Sequence, residues 1–144
     1  MFSKTCEYGI RATIIIASES YLDKRVGLKE IAKKIDSPVA FTAKILQVLS
    51  RENIINSIKG VGGGFEIQKD KMNQITLAQI VKALDGDNIF KGCCLGLTLC
   101  SEEHPCPAHH KFKSIRAELV FMLEHTNLEE LASGIKSGDT FLRF

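Results

Sequence analysis

Apolar residues recur at helical spacing through the first third of the chain and predict three consecutive helices. The first spans residues 4–21 and carries its apolar stripe on Ile10, Ile14, Ile15 and Ala17. A shorter repeat covers residues 28–35, and Ser37-Pro38 marks the next start, because serine is a good N-cap and proline suits the first helical position. The third helix extends to about Arg51. Two short helices in tandem predict a helix-turn-helix.

Two β-prone runs separated by glycines predict a hairpin directly after this helix pair. Residues 54–58 are rich in β-branched side chains, and residues 65–67 alternate between apolar and polar. Four of the five positions from Gly60 to Gly64 are glycine, which permits positive φ angles and close approach of the backbone to a ligand. A hairpin that follows a helix-turn-helix forms a wing.

Capping signals and a long amphipathic stretch predict the helices of the second half. Thr76 begins a capping box for a helix that ends before Gly86, and Thr126 begins another for a short last helix. Residues 108–125 form a long predicted helix, which is apolar on two sides and therefore needs two packing partners. We expect one to be the chain's own core and the other a second subunit. The predicted fold class is mainly α, a winged helix-turn-helix with a β-hairpin wing and a long C-terminal dimerisation helix.

Three segments follow from this order, and charge divides the chain in a similar way. Residues 1–86 are the expected DNA-binding domain, residues 87–107 a cysteine-rich loop, and residues 108–144 the dimerisation and last helices. The net charge is +2, with 12 basic against 8 acidic side chains up to residue 75 and 7 against 9 after it. A basic head with an acidic tail is typical of a protein that binds a polyanion through one part only.

Other function classes find less support in the composition. No apolar stretch reaches the length of a membrane span or of a signal-peptide core, so we expect a cytoplasmic protein. No Ser/His/Asp arrangement or pair of carboxylates indicates catalysis, so we do not expect an enzyme. The glycine turn lacks the Lys-Ser/Thr ending of a phosphate-binding loop, which argues against nucleotide binding.

The second helix of the predicted pair is the candidate to enter the major groove of duplex DNA. Its polar side and the wing offer lysines for charge and glycine amides for close approach to phosphates and base edges. The candidate DNA-binding residues are Ser37, Thr42, Lys44, Gln47, Lys59, Gly60 and Gly62. The alternative is a protein–protein module with an ordinary hairpin, and the basic excess favours DNA.

Four of the five cysteines lie within fourteen residues, which indicates metal binding or redox chemistry in a chain without an export signal. Cys94, Cys100, Cys106 and His109 follow one another at intervals of six, six and three residues. Structural zinc sites use closer pairs, so this spacing favours an iron–sulfur cluster, 2Fe-2S or 4Fe-4S, over zinc. Free thiols are a further alternative, disfavoured because they would oxidise. Cys6 is set apart as a core residue, and Cys93 because it adjoins Cys94.

The order of helix-turn-helix, glycine wing, spaced cysteines and long helix resembles the Rrf-two superfamily of bacterial winged-helix regulators. The resemblance runs from Lys4 to about Leu131 and is strongest for the iron–sulfur members, which include cluster-assembly and nitric-oxide-sensing types. It implies a homodimer in which each subunit holds one cluster. The ligands that it implies are Cys94, Cys100 and Cys106.

The resemblance leaves the fourth ligand and the operator open. The cluster-assembly type implies His109, whereas the nitric-oxide-sensing type implies an acidic residue on the first helix, here Glu7. Ala43 stands where some members carry a polar recognition residue, so no operator preference is carried over. We expect a repressor whose operator affinity is set by a cluster that senses nitric oxide, redox stress or cluster supply. The alternatives are a zinc-stabilised DNA-binding protein that senses nothing and a metal or electron-transfer protein that does not bind DNA.

Overall fold

Seven α-helices and one two-stranded hairpin make up residues 1–142, the part of the chain that the computed structural model describes. In chain order they are α1 (Lys4–Tyr21), α2 (Leu28–Ile35), α3 (Val39–Arg51), β1 (Asn56–Ile58), β2 (Gly64–Glu66), α4 (Leu77–Asp85), α5 (Asn88–Lys91), α6 (His109–His125) and α7 (Leu128–Ser137). A 3₁₀ turn, Lys69–Lys71, lies between β2 and α4. This mainly helical fold, with a hairpin after the helix pair, confirms the predicted fold class. The last two residues of the predicted segment 108–144 lie outside the described residues.

Helix α1 is the centre of the fold and packs against α2, α3, α4 and α7. Its β-branched run gives it modest helix propensity, so burial has to stabilise it: Ile16 is completely buried. Full burial of such a side chain contributes about 1.5–3 kcal/mol. Gly9 lets α4 come close to α1, because a Cβ at that position would lie 2.1 Å from Cδ1 of Leu84.

The start of α3 lies one residue later than predicted. Pro38 is the N-cap, with extended backbone angles, and the helix begins at Val39. Ser37 was predicted as the cap, but α3 has no side-chain capping bond. The backbone N–H of Ser37 instead donates to the Ala32 carbonyl at 3.0 Å and so closes the end of α2.

The hairpin strands are antiparallel and shorter than predicted. Asn56 pairs with Glu66, and Ile58 pairs with Gly64. Ile54, which the predicted strand included, is instead buried in the helical core. The chain packs there before it begins to pair at Asn56. The pairing is therefore confined to three residues of each strand, Asn56–Ile58 and Gly64–Glu66.

The second half folds back onto the head through α7. The backbone N–H of Leu128 donates to the Ile75 carbonyl, and the N–H of Leu77 donates to the Thr126 carbonyl, both at 2.9 Å. The capping box at Thr76 is confirmed, with both of its reciprocal hydrogen bonds present. Helix α7 is capped by Asn127 rather than Thr126, because the Asn127 side chain accepts from the Glu130 N–H at 2.9 Å.

Helix α6 differs from the others in its exposure. Of its 17 residues only His109 and Leu123 are buried. Leu123 packs with Cys6 and Val81 in a second, smaller core cluster between α1, α4 and α6. Within residues 1–142, no helix combines the length and the apolar character that a membrane span needs.

Candidate DNA interface and metal centre

Helix α3 presents two of its predicted polar contacts to solvent and buries the third. Lys44 and Gln47 are exposed. The prediction for Thr42 is wrong: this residue is 0% exposed, and its hydroxyl donates to the Pro38 carbonyl at 2.9 Å. Thr42 lies one helical turn before the buried Ile45 and therefore shares its inward face.

Ser37 occupies the turn between α2 and α3. The residue is half-buried, and its hydroxyl oxygen is buried without a hydrogen-bond partner in the described part of the chain. Buried hydroxyls normally have a hydrogen-bond partner, so this oxygen is an unsatisfied group just before the start of α3. A contact between Ser37 and DNA stays a prediction.

The wing tip is open to solvent and shaped by its glycines. Lys59, Gly60 and Gly62 are all exposed, as a phosphate contact requires. Gly60 and Gly62 have φ of 90° and 73°, which L side chains rarely adopt. A Cβ on Gly63 would lie 2.3 Å from the Ile58 carbonyl oxygen, so the turn also needs glycine for lack of space.

Four cysteines and His109 surround one small cavity, which we call the cysteine centre. The cavity has a volume of about 10 Å³ and lies between the loop that precedes α6 and the first two turns of that helix. Its lining residues are Cys93, Cys94, Leu95, Cys100, Cys106, His109, Phe112, Lys113 and Arg116. The predicted ligands Cys94, Cys100, Cys106 and His109 are thus brought together by the fold.

His109 is the first residue of α6 and links the helix to the loop. Its backbone N–H donates to the Cys106 carbonyl at 3.0 Å, and its Nδ1 lies 3.4 Å from Sγ of Cys100. The other ring nitrogen, Nε2, is buried and has no hydrogen-bond partner among the described residues. Within residues 1–142, no three His, Cys, Asp or Glu side chains form a ready-made site for a single metal ion.

Positive charge reaches the sulfurs from α6. Nη2 of Arg116 donates to Sγ of Cys94 at 3.3 Å. The hydrogen bond to Cys94, followed by one to Cys100, raises the pKa of the guanidinium. Arg116 lies seven residues after His109, so both project from one side of α6. The same spacing in the sequence is the signal that points to Arg116 as a residue of the site.

Cys93 lines the centre, although its position next to Cys94 had argued against a ligand role. Its pKa is held below the ordinary value by the backbone N–H groups of Leu95 and Leu97, with a smaller contribution from the Cys106 thiol. The turn after Cys93 allows the two adjacent cysteines to face one cavity, which their sequence neighbourhood alone did not suggest. Cys93 is therefore a further candidate sulfur donor.

Glu7 and Cys6 lie on α1 and outside the residues that line the centre. Glu7 accepts a hydrogen bond from Lys4 Nζ at 2.8 Å, and this bond lowers the pKa of the carboxyl. Cys6 is fully buried, as predicted for a core residue, and burial raises its pKa to about 12. Within one subunit, the fold brings His109 to the cysteines and leaves Glu7 elsewhere.

Comparison with known proteins identifies the family of this chain. The model of the Rrf2 family, described as iron-dependent transcriptional regulators, matches residues 2–134. A relative from Aquifex aeolicus (strain VF5), named as an HTH-type transcriptional regulator, is 30% identical over 133 residues, which cover 91% of this chain and 90% of that one. The regulator IscR of Photorhabdus laumondii is 23% identical over 126 residues, covering 88% and 75% of the two chains.

A solved structure supports the fold. The structure of CymR, the global cysteine regulator of B. subtilis, superposes with a TM-score of 0.74 at 22% identity and covers 92% of this chain and 96% of CymR. At that identity the likeness speaks for the fold alone. The family match spans nearly the whole sequence and includes both the winged head and the cysteine centre. The chain therefore belongs to the Rrf2 family of DNA-binding transcriptional regulators.

Proposed function

We propose that this regulator holds an iron–sulfur cluster in the cysteine centre and that the cluster controls its affinity for operator DNA. Cys94, Cys100 and Cys106 supply thiolates, and His109 supplies an imidazole. A bound cluster would supply iron that exchanges electrons and is open to oxidants or nitric oxide. The signal is accordingly nitric oxide, redox stress or cluster supply, and the regulator acts as a repressor.

The observation that carries this proposal is the environment of the His109 ring. Its Nδ1 faces the Cys100 sulfur, while its Nε2 is buried and unpartnered among residues 1–142. An unsatisfied buried nitrogen costs about 1–3 kcal/mol, and ligation to iron would satisfy it. Soft thiolates with one imidazole are a donor set suited to iron–sulfur clusters.

The fourth ligand has two candidates, and the contacts within one subunit favour His109. Glu7 is engaged with Lys4 and does not line the centre. A Glu7 carboxylate from a second subunit is the alternative, as the resemblance to the nitric-oxide-sensing members implies.

The loop must open to accept a cluster. A cavity of about 10 Å³ has room for roughly one water molecule, so the sulfurs have to move outward. Arg116 offsets part of the thiolate charge through its bond to Cys94. Because His109 starts α6 and is bonded to the Cys106 carbonyl, a movement of the loop is passed to this helix.

A second copy of the chain is the proposed partner of α6. The helix leaves four large apolar side chains exposed, namely Phe112, Ile115, Phe121 and Met122. Phe112, Ile115 and Met122 lie on one side of the helix, and Phe121 lies further round it. Exposed apolar side chains of this kind are typical of an interface, and a twofold dimer buries the same surface of both copies. Two heads would then address half-sites about 34 Å apart, and a displacement of α6 would change their spacing.

The decisive experiment is anaerobic purification of the full chain, followed by its visible spectrum and its iron and sulfide content. We expect a coloured protein, and we expect Cys94→Ser, Cys100→Ser and Cys106→Ser each to lose most of the cluster. Cys6→Ser is the control, because Cys6 lies on α1 outside the centre, and we expect it to keep the cluster. Cys93→Ser, for which we expect a smaller loss than for the three ligands, tests whether the fourth sulfur of the centre also binds iron. His109→Ala is compared with Glu7→Gln, and with His110→Ala at the exposed histidine that follows His109, to identify the fourth ligand.

DNA binding is then measured with the loaded and the cluster-free protein. A regulatory coupling of about 1–3 kcal/mol predicts a 5–150-fold difference in affinity between the two forms. A colourless protein with stoichiometric zinc would contradict the cluster. Equal affinity of both forms for duplex DNA would contradict the sensing mechanism while leaving the cluster in place.

A further inference from the structure

Arg25 reaches from the connection between α1 and α2 to two points of the wing. Its Nε donates to Oε2 of Glu66 at 2.9 Å, and its Nη1 donates to the Gly62 carbonyl at 3.1 Å. Glu66 ends β2, and Gly62 lies in the turn beyond β1. The guanidinium therefore joins the base of the wing to its tip. Arg25 lies about forty residues before both of these contacts in the sequence.

The backbone beside Arg25 holds this side chain in place. Val26 is buried and exchanges two hydrogen bonds with Phe65: its N–H donates at 3.1 Å and its carbonyl accepts at 2.8 Å. This bridge acts as a short third strand of the wing sheet. Gly64, with φ of 134°, permits the approach, because a Cβ there would lie 2.9 Å from the Val26 carbonyl oxygen.

The turn itself gains little support from burial. It is closed by a hydrogen bond from the Gly63 N–H to the Gly60 carbonyl at 3.0 Å, and Val61 at its tip is fully exposed. Glycines widen the range of backbone conformations that such a turn can adopt. A tether to the Gly62 carbonyl therefore restricts the segment that carries the candidate phosphate contacts.

We propose that Arg25 is a positioning residue of the DNA interface, which holds the glycine turn in the pose that meets the DNA backbone. Glu66 orients the guanidinium so that Nη1 faces the Gly62 carbonyl. Pairing with Glu66 also offsets the charge of Arg25, which makes it a poor direct phosphate contact. Lys59 and the turn amides are the groups presented to DNA, and Arg25 reduces the entropy that they lose on binding.

The test compares Arg25→Lys and Arg25→Gln in the full chain, with a 30-base-pair duplex of random sequence as the probe. Lysine keeps the charge but lacks the fork that spans two acceptors, so we expect both variants to weaken binding by about threefold per bound subunit, a size typical of one exposed charged interaction. For Arg25→Lys, the slope of log affinity against log salt should stay at the wild-type value. Lys24→Gln is the matched control, because it removes a neighbouring exposed charge and leaves the bonds of Arg25 to Glu66 and Gly62 in place.

A second readout follows the wing in the free protein. We expect the Gly63 amide to exchange its hydrogen several-fold faster in both Arg25 variants, while the melting temperature stays within about 2 °C of the wild type. Wild-type affinity for Arg25→Lys, combined with a salt slope that falls by about one per subunit for Arg25→Gln, would show a direct phosphate contact and overturn the proposal. Unchanged Gly63 exchange would overturn it as well.

Discussion

The winged head and the segment formed by the cysteine centre and α6 differ in whether the chain itself supplies their packing and hydrogen-bond partners. In the head, Ile16, Ile31 and Leu49 are fully buried by other parts of the same chain. Most of α6 is exposed, Phe121 is 63% exposed, and the ring of His109 keeps an unsatisfied nitrogen. The head thus carries its own packing partners, whereas the second region offers surfaces and donor atoms that suit a second subunit and a cofactor. The proposed sensing function fits this division, because its signal would act on the region that is least fixed by the chain itself.

The largest effect is expected from a change inside the head. Leu49→Ala removes a fully buried side chain, so we expect the free energy of unfolding to fall by about 3 kcal/mol. Urea denaturation followed by circular dichroism measures this loss. Val39→Ala, on the exposed side of α3, is the control and should cost less than about 0.5 kcal/mol. A loss below about 1 kcal/mol for Leu49→Ala would mean that the core of the head is packed less tightly than the burial of Leu49 indicates.

A change on α6 should separate the subunits without unfolding them. In Phe121→Glu a carboxylate replaces an exposed ring that stacks on His125 with centroids 4.0 Å apart. Burying this charge in a dimer interface should cost about 2 kcal/mol, or roughly a 30-fold weaker dimer. Sedimentation velocity over a range of concentrations measures the change.

The control for this prediction is Glu124→Gln, which alters an exposed polar position on the same helix. It should leave the dimerisation constant within about threefold of the wild type. A Phe121→Glu protein that sediments as the wild type does at every concentration would exclude this face as the dimer interface. Loss of helix content in the same variant would instead indicate that Phe121 supports the fold.

Periodicity and capping signals account for most of the fold that the sequence predicted. The bounds of α1 and α2 agree with prediction because both helices have clear apolar stripes, and the Thr76 capping box fixes the start of α4. The Thr42 prediction failed because a threonine was read as polar, although its place one turn before Ile45 puts it on the buried face. Helix α5 was missed because four residues are too few to show a helical period.

The site was predictable where its residues are close in sequence and not where tertiary contacts create it. The cysteine spacing brought Cys94, Cys100 and Cys106 into the prediction, and the fold gathers them around one cavity. Arg116 and Arg25 were not identified. The hydrogen bond between Arg25 and Glu66 joins positions 41 residues apart, and no local sequence pattern predicts such a pair.

The smallest expected effect concerns Cys6, which lies at the seam between the two regions. Burial, aided by the nearby Asp85 carboxylate, raises its pKa to about 12 in the folded protein, against about 9 for a free thiol. Below about pH 8 the thiol is neutral in both states, so it adds no pH dependence there. As the pH rises from about 9 toward 12, the unfolded chain releases a proton that the folded chain retains, and stability falls.

Relative to Cys6→Ala, the wild type should lose about 1 kcal/mol of unfolding free energy between pH 8 and about pH 10. Urea titrations at each pH, in the presence of a reductant, measure the difference. If the unfolding free energies of the two proteins change in parallel across this pH range, the Cys6 thiol reaches water in the folded protein. Helix α6 would then separate from α1 and α4 more readily than the packing of Cys6 against Leu123 implies.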